Sequence, residues 1–210
     1  MRSLKTKKES TWGRRSSIIL IYTLKNMHEE VLSEKQKKLL PLLKSFSDNF
    51  GLVGGTAVAL QIGHRRSIDF DLFTLKKLAG ENIREIVREK YPIQEIIADE
   101  PNELSLAVED VKITFLKYPF KIKFSKPFKD IISCPDLLAL GAMKAFSLGR
   151  RAKWKDYVDL YFIFKSIPFA QIAKKAQVLF GGEFNEKLFR EQLAYFEDID
   201  YSETIDYMRG

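Results

Sequence analysis

Apolar residues at Val31, Leu32, Leu39, Leu42, Leu43 and Phe46 recur at mostly helical spacing, which predicts a helix over 28–46 with a break or bend at Pro41. "FGLVGG" reads as a short buried strand ending in a turn, and "TAVALQIG" as a helix capped by Gly63. "SIDFDLFTL" alternates polar and apolar residues, as a half-buried strand does. Residues 80–90 suit an amphipathic helix. Three strands follow at 94–98, 104–108 and 111–116, the last two joined by a tight Glu109-Asp110 turn. Pro119 and Pro127 punctuate an irregular basic stretch, and from Pro135 onward the pattern is helical to the end. The order of helix, mixed α/β middle and helical C-terminal third predicts an α+β protein, a small mixed sheet with flanking helices. Three regions result: a basic, disordered extension over 1–26, an α/β core over 27–132, and a helical region over 133–210 that completes the site.

Composition narrows the class. Of 210 residues, 45% are hydrophobic and 30% charged, which fits a soluble globular chain with one sizeable core. No apolar run approaches the roughly 20 residues of a membrane span, so no membrane partner is expected. The single Cys134 excludes an internal disulfide framework and a cysteine-rich zinc site, and places the protein in a reducing cytoplasm. His28 and His64 are too few for a histidine-built metal centre.

The net charge of +7 suggests nucleic acid until it is located. Residues 1–26 hold seven basic side chains against the single acid Glu9, which leaves 28 basic and 27 acidic residues in the rest of the chain. The body is therefore nearly neutral. The basic tail reads as an RNA-contacting arm, a targeting peptide, or an extension upstream of a true start at Met27. The third is favoured, because an orderly amphipathic segment begins just after Met27 and no small-residue cleavage site follows "SSIILIY".

The chemistry is concentrated in "GLVGGTAVALQIGHRRSIDFDLF", residues 51–73. On a strand, Asp69 and Asp71 project to one side, about 6–7 Å apart, while Phe70 and Leu72 anchor the other. Carboxylates this close repel unless a cation lies between them. Oxygen ligands of this kind suit Mg²⁺ or Mn²⁺, which take one or two carboxylates plus substrate phosphates. Upstream, Gly54 and Gly55 let the backbone approach a phosphate, the following helix points its N–H groups at it, and the Thr56 hydroxyl is a further donor. Either half alone is weak, since a Gly-Gly turn is commonly a packing device and D-x-D commonly a solvated edge. Together, with 13 residues between Gly55 and Asp69, they suit metal-assisted phosphoryl transfer from a nucleoside triphosphate (NTP).

In these residues the chain resembles the polymerase-beta-like nucleotidyltransferases, whose pattern is GG-(S/T) followed by D-x-D. The wider string resembles the AbiEii/AbiGii toxin family within them, the enzyme component of abortive-infection toxin–antitoxin pairs. The resemblance extends to "MHEEVLSEKQKKLLPLL", "VKITFLKYPF" and "PDLLALGAMKAFSLGRRAKWKDYVDLYFIF". It implies that Gly54, Gly55 and Thr56 grip the triphosphate and that Asp69 and Asp71 bind the metal. It implies that Arg66 and Ser67 contact phosphate or the metal shell. Lys144 matches a family helix lysine, against the plainer reading of a snorkelling surface lysine. Asp156 and Asp159, three residues apart on one helix face, would complete the site, with Lys144 and Asp159 catalytic and Asp156 in support. Relatives usually carry a third carboxylate on a neighbouring strand. Here that strand places Thr114 at the inward position, so Asp156 or Asp159 takes the role, or catalytic power is reduced, or a second metal is held loosely.

Two further features have plain and functional readings. His64 either contacts phosphate or base, or stabilises its own turn. "KYPFKIKFSKPFK" is either a basic–aromatic strip for RNA or a sheet edge protected by lysines. The resemblance implies transfer of a nucleoside monophosphate from an NTP to an acceptor, RNA and tRNA 3′ ends included, with a cognate antitoxin as partner. Alternatives are a transferase of the same fold acting on a protein or small molecule, a non-catalytic nucleotide-binding module, and a structural interaction protein.

Overall fold

The computed structural model describes residues 27–208, so the basic tail and its three readings lie outside the described residues. The predicted N-terminal helix is three short pieces: a 3-10 turn at Glu29–Val31, then α1 (Glu34–Lys38) and α2 (Leu40–Lys44). Ser33 and Gln36 form a capping box at the start of α1, and Pro41 sits in the first turn of α2, where its missing N–H costs nothing. A capping signal and an early proline each start a new helix, which apolar spacing alone does not reveal.

Strand β1 (Gly51–Val53) runs directly into α3 (Gly54–Ile62), which Gly63 ends in the left-handed conformation as expected. Strand β2 (Phe70–Thr74) returns antiparallel to β1, and α4 (Gly80–Arg88) buries Ile83 and Val87. A meander follows: β3 (Glu95–Glu100), β4 (Glu103–Val108) and β5 (Val111–Lys117). Glu109 and Asp110 both take positive φ at the β4–β5 turn, as a tight two-residue hairpin requires. β5 pairs parallel with β2, giving a mixed sheet in the order β1-β2-β5-β4-β3.

The stretch expected to be irregular holds a hairpin, β6 (Lys126–Phe128) with β7 (Ile132–Cys134). Within it Phe128 is buried, Tyr118, Phe120 and Phe124 pack against the core, and Lys117, Lys121, Lys123, Lys126 and Lys129 are exposed. The aromatic rings are thus used for packing, and the lysine-protected edge is the reading that fits. A Cβ at Gly51 would collide with the Phe124 ring at 2.1 Å, so β1 is bare where this segment crosses it.

The C-terminal third contains α5 (Leu137–Leu148), α6 (Trp154–Phe164), α7 (Phe169–Phe180) and α8 (Glu186–Ala194). Asp136 caps α5, whose residues from Ala139 to Phe146 are all buried, making it the central helix of the layer. α3 packs against both α5 and α6, which joins this layer to the sheet. The expectation of helix to the end fails after α8. Residues 195–208 carry no helix and instead form isolated bridges, Lys153 with Asp200 and Arg65 with Tyr207.

Candidate active site

The site forms where β1 turns into α3 and β2 passes beside it. Phe70 and Leu72 are fully buried, which turns Asp71 to the opposite face of β2; Asp69 lies one residue before the strand. Asp71 is in register with Val53 on one side and Thr114 on the other. Gly54 takes φ +69°, and a Cβ there would lie 2.0 Å from Asp71 Oδ2. Two separate demands therefore select glycine: a left-handed backbone and room for a carboxylate. At Gly55 a Cβ would meet Arg65 Nη2 at 2.6 Å and Ser67 Oγ at 2.9 Å. The first turn of α3 is thus surrounded by Asp71, Arg65 and Ser67.

Asp69 and Asp71 are half-buried, and among the described residues neither side-chain carboxylate joins an ion pair or accepts a hydrogen bond. Burial raises the pKa of both above the ordinary carboxylate range, and repulsion from Asp69 raises Asp71 further. Lys155 opposes this at both carboxylates and Lys112 does so at Asp69. Two undersupplied carboxylates fit a hard divalent cation that completes its shell from water and substrate phosphate. Among the described residues no cluster of three or more His, Cys, Asp or Glu could hold a metal alone.

A pocket of about 320 Å³ opens beside Asp71. Gly54 and Asp71 line one part; Lys144, Arg150 and Arg151 line another, and Phe73, Tyr118 and Phe146 are among its walls. Phe73 and Tyr118 lie 4.7 Å apart, and the Arg150 guanidinium sits 3.6 Å over the Phe146 ring. An acidic end, a cationic end and an aromatic wall match the three parts of a metal–nucleotide complex.

Beneath the pocket lies a buried ion cluster. Lys144 Nζ is 2.6 Å from Asp156 Oδ1 and 2.6 Å from Asp159 Oδ2. Arg65 donates Nε and Nη2 to the two oxygens of Asp159 at 2.7 and 2.9 Å. His64 Nε2 is 2.8 Å from Asp159 Oδ1, and Arg151 Nε is 3.1 Å from Asp156 Oδ2. Both aspartates are fully buried. Burial alone would raise their pKa values, but Lys144 and the two arginines hold both below the ordinary carboxylate range. Burial likewise disfavours the Lys144 ammonium, and Asp156 and Asp159 overcome that to raise its pKa.

Several sequence expectations change here. The Thr56 hydroxyl donates to the Asp69 carbonyl oxygen and so fixes the strand entry. Arg66 turns outward to Asp206, 3.0 Å away, and the arginine beside the glycine turn is Arg65. Asp156 and Asp159 have their oxygens engaged by cations, so the structure does not bring either to the pocket as a free carboxylate. His64 belongs to this cluster. Thr114 stands beside Asp71 as expected; the Ser105 hydroxyl lies 3.1 Å from Thr114 Oγ1 and 3.1 Å from Glu103 Oε1. Sequence reasoning missed Arg65, Arg150, Arg151 and Lys155. "HRRS" and "GRRAKWK" signalled cations near the motifs, but not which of them turned inward.

No family model matches the chain. It is 23% identical to a protein of unassigned activity from Aquifex aeolicus, a match covering 80% of this chain and 92% of that one. Among solved structures it is similar to a candidate nucleotidyltransferase from H. pylori, with a TM-score of 0.51 and 17% identity over 77% of this chain and 93% of that chain. It is also similar to MenT4, a nucleotidyltransferase toxin from Mycobacterium tuberculosis, with a TM-score of 0.51 and 16% identity over 79% and 73% of the two chains. These likenesses establish the fold: an α+β nucleotidyltransferase fold with a five-stranded mixed sheet and flanking helices. Among the described residues no helix is long and apolar enough to cross a membrane.

Proposed function

We propose that the protein is a metal-dependent nucleotidyltransferase that moves a nucleoside monophosphate from an NTP to an acceptor hydroxyl and releases pyrophosphate. The observation that carries this reading is the fit of the Asp71 carboxylate into the space left by Gly54, at the N-terminus of α3. It brings a phosphate-accepting helix end and a pair of cation-seeking carboxylates to one point.

Gly54 and Gly55 open the first turn of α3 to the phosphates. Asp69 and Asp71 would hold Mg²⁺ or Mn²⁺, which supplies charge neutralisation to the phosphates. Lys144, Arg150 and Arg151 add positive charge along the same pocket, and Tyr118, Phe73 and Phe146 give the base an apolar wall. Asp156 and Asp159 act as positioning residues that hold Lys144 charged and fixed in place, and Arg65 in turn fixes Asp159. The acceptor hydroxyl gives up its proton to solvent as its oxygen bonds to the α-phosphorus, and the bond to the bridging oxygen breaks with its electron pair leaving on pyrophosphate. The motif resemblance to the AbiEii/AbiGii toxins supports an RNA acceptor such as a tRNA 3′ end and an antitoxin partner, and the description of MenT4 as a nucleotidyltransferase toxin supports the toxin reading. The single Cys134 supports a cytoplasmic setting.

The test is transfer of label from each of the four α-³²P NTPs to total RNA and to total protein, with Mg²⁺ and then Mn²⁺. Label on RNA that is lost in Asp69→Asn is the expected result. Label on protein only would move the acceptor class. NTP binding without transfer would favour a nucleotide-binding module. That second reading has one observation behind it: Thr114 occupies the position beside Asp71 where a third carboxylate would stand.

A further inference from the structure

The cations that line the pocket, Lys144, Arg150 and Arg151, differ in how many hydrogen-bond donors each has left for a ligand. An ammonium carries three N–H bonds. Lys144 Nζ uses two of them, on Asp156 Oδ1 and Asp159 Oδ2, both at 2.6 Å, which leaves one for the pocket. Arg150 sits over the Phe146 ring, 3.6 Å from its centre, and Phe146 in turn stacks on Phe180 at 4.0 Å. Its terminal nitrogens also reach the Phe146 carbonyl at 3.3 Å and Glu183 at 3.4 Å. Arg150 is thus part of the aromatic wall.

Arg151 is anchored differently. It lies just past the end of α5, where its backbone N–H donates to the Ser147 carbonyl at 3.0 Å. Its side-chain Nε donates to Asp156 Oδ2 at 3.1 Å, and Asp156 is fully buried in the first turn of α6. A guanidinium carries five N–H donors in one plane. With Nε fixed, the four on Nη1 and Nη2 make no hydrogen bond among the described residues. The side chain is half-exposed and lines the same pocket as Gly54 and Asp71. One buried carboxylate therefore orients two pocket cations, Lys144 through Oδ1 and Arg151 through Oδ2.

We propose that Arg151 is the phosphate clamp of this site: its terminal nitrogens bind two oxygens of the triphosphate side by side, and Asp156, holding Nε, is the positioning residue that aims them. The inference rests on the nucleotidyltransferase reading for the identity of the ligand. Side-by-side bonding is what a planar guanidinium supplies to phosphate and an ammonium does not. A fork already fixed at its base also loses less freedom on gripping a ligand than a free arginine would. Lys144, with one free donor, adds charge at a single point.

The probe is inorganic tripolyphosphate with Mg²⁺ present, titrated calorimetrically against the full chain. Arg151→Lys keeps the charge and alters a half-exposed side chain, so the core stays packed. It should bind the probe about tenfold more weakly than wild type, and Arg150→Lys should lose less. No binding by the wild type, wild-type affinity in Arg151→Lys, or an equal loss in the two variants would overturn the clamp. Asp156→Asn tests the aiming. Adding Arg151→Lys to it should weaken binding no further, because the fork is already released; additive losses would overturn the role of Asp156. Any general loss of stability from Asp156→Asn is common to both proteins in that comparison and cancels. The two readings fail separately. Clamp behaviour with no label transfer from any NTP removes the transferase and leaves the phosphate site. Label transfer with wild-type tripolyphosphate affinity in Arg151→Lys removes the clamp and leaves the transferase.

Discussion

Gly54 and Asp71 occupy what is nearly one volume: the space a Cβ would need at Gly54 is filled by a carboxylate oxygen of Asp71, 2.0 Å away. The turn and the strand are therefore specified together, since a side chain at the first position evicts the functional group at the second. Gly54→Ala should cost roughly 1–3 kcal/mol from the positive φ alone, and should also displace Asp71. Thermal melting and calorimetric NTP titration check the two effects. Destabilisation with full metal-linked NTP binding would show that the carboxylate tolerates being moved.

The free carboxylate pair predicts an unusual pH response. Both pKa values are raised in the folded protein, so protons leave the unfolded chain first as pH rises. Between the ordinary carboxylate range and the raised folded values, this pair makes stability fall with increasing pH. Asp69→Asn with Asp71→Asn should therefore raise the melting temperature in metal-free buffer at neutral pH. Mg²⁺ or Mn²⁺ should raise it in the wild type and leave the double variant unchanged.

The ion cluster predicts the opposite sign. Asp156 and Asp159 are held below the ordinary carboxylate range, so their contribution is present above that range and is lost as pH falls toward the depressed values. Asp159→Asn should cost about 3–5 kcal/mol, because Arg65 and Lys144 would be left buried without their shared counter-charge. Its melting temperature should also fall less steeply than that of the wild type below pH 4. Chemical denaturation at several pH values measures both.

Lys144 separates positioning from catalysis. Lys144→Met removes one of the three pocket-side cations, and label transfer should fall at least about tenfold, or about 1.4 kcal/mol of transition-state stabilisation. NTP affinity should change less, since the helix end and the carboxylate pair are untouched. Because Met also leaves Asp156 and Asp159 short of a cation, Lys144→Arg is the companion variant; recovery of stability without recovery of transfer would place the requirement in the ammonium itself.

The parts of this molecule that were legible in the sequence are those set by neighbours within a few residues. The alternation around Asp69 and Asp71, the Gly63 cap and the Glu109-Asp110 turn each carry their own local cause. The ion cluster does not, because Arg65 and Asp159 lie 94 residues apart and meet only when α3 packs on α6. Adjacent arginines illustrate the difficulty: Arg65 is buried on Asp159 while Arg66 is half-exposed on Asp206, and chain position alone favours neither. The hairpin of β6 and β7 was hidden by lysines and prolines that weaken a strand pattern, and residues 195–208, expected to be helical, are fixed instead by backbone bonds to Ala152, His64 and Arg66. Both are held by partners far along the chain.

The segment over residues 195–208 also bears on the order in which the contacts of the site can form during synthesis. The carboxylate pair emerges from the ribosome with the first third of the chain, but β2 must wait for β5 and Arg65 for Asp159. The fastening at Asp206 and Met208 comes at the very end of the described chain. A nascent polypeptide halted before α6 therefore carries the acidic motif on a scaffold whose buried arginine lacks its counter-ion. The contacts of Asp206 and Met208 with Arg66 and His64 become available only after the helices of the C-terminal third have been made.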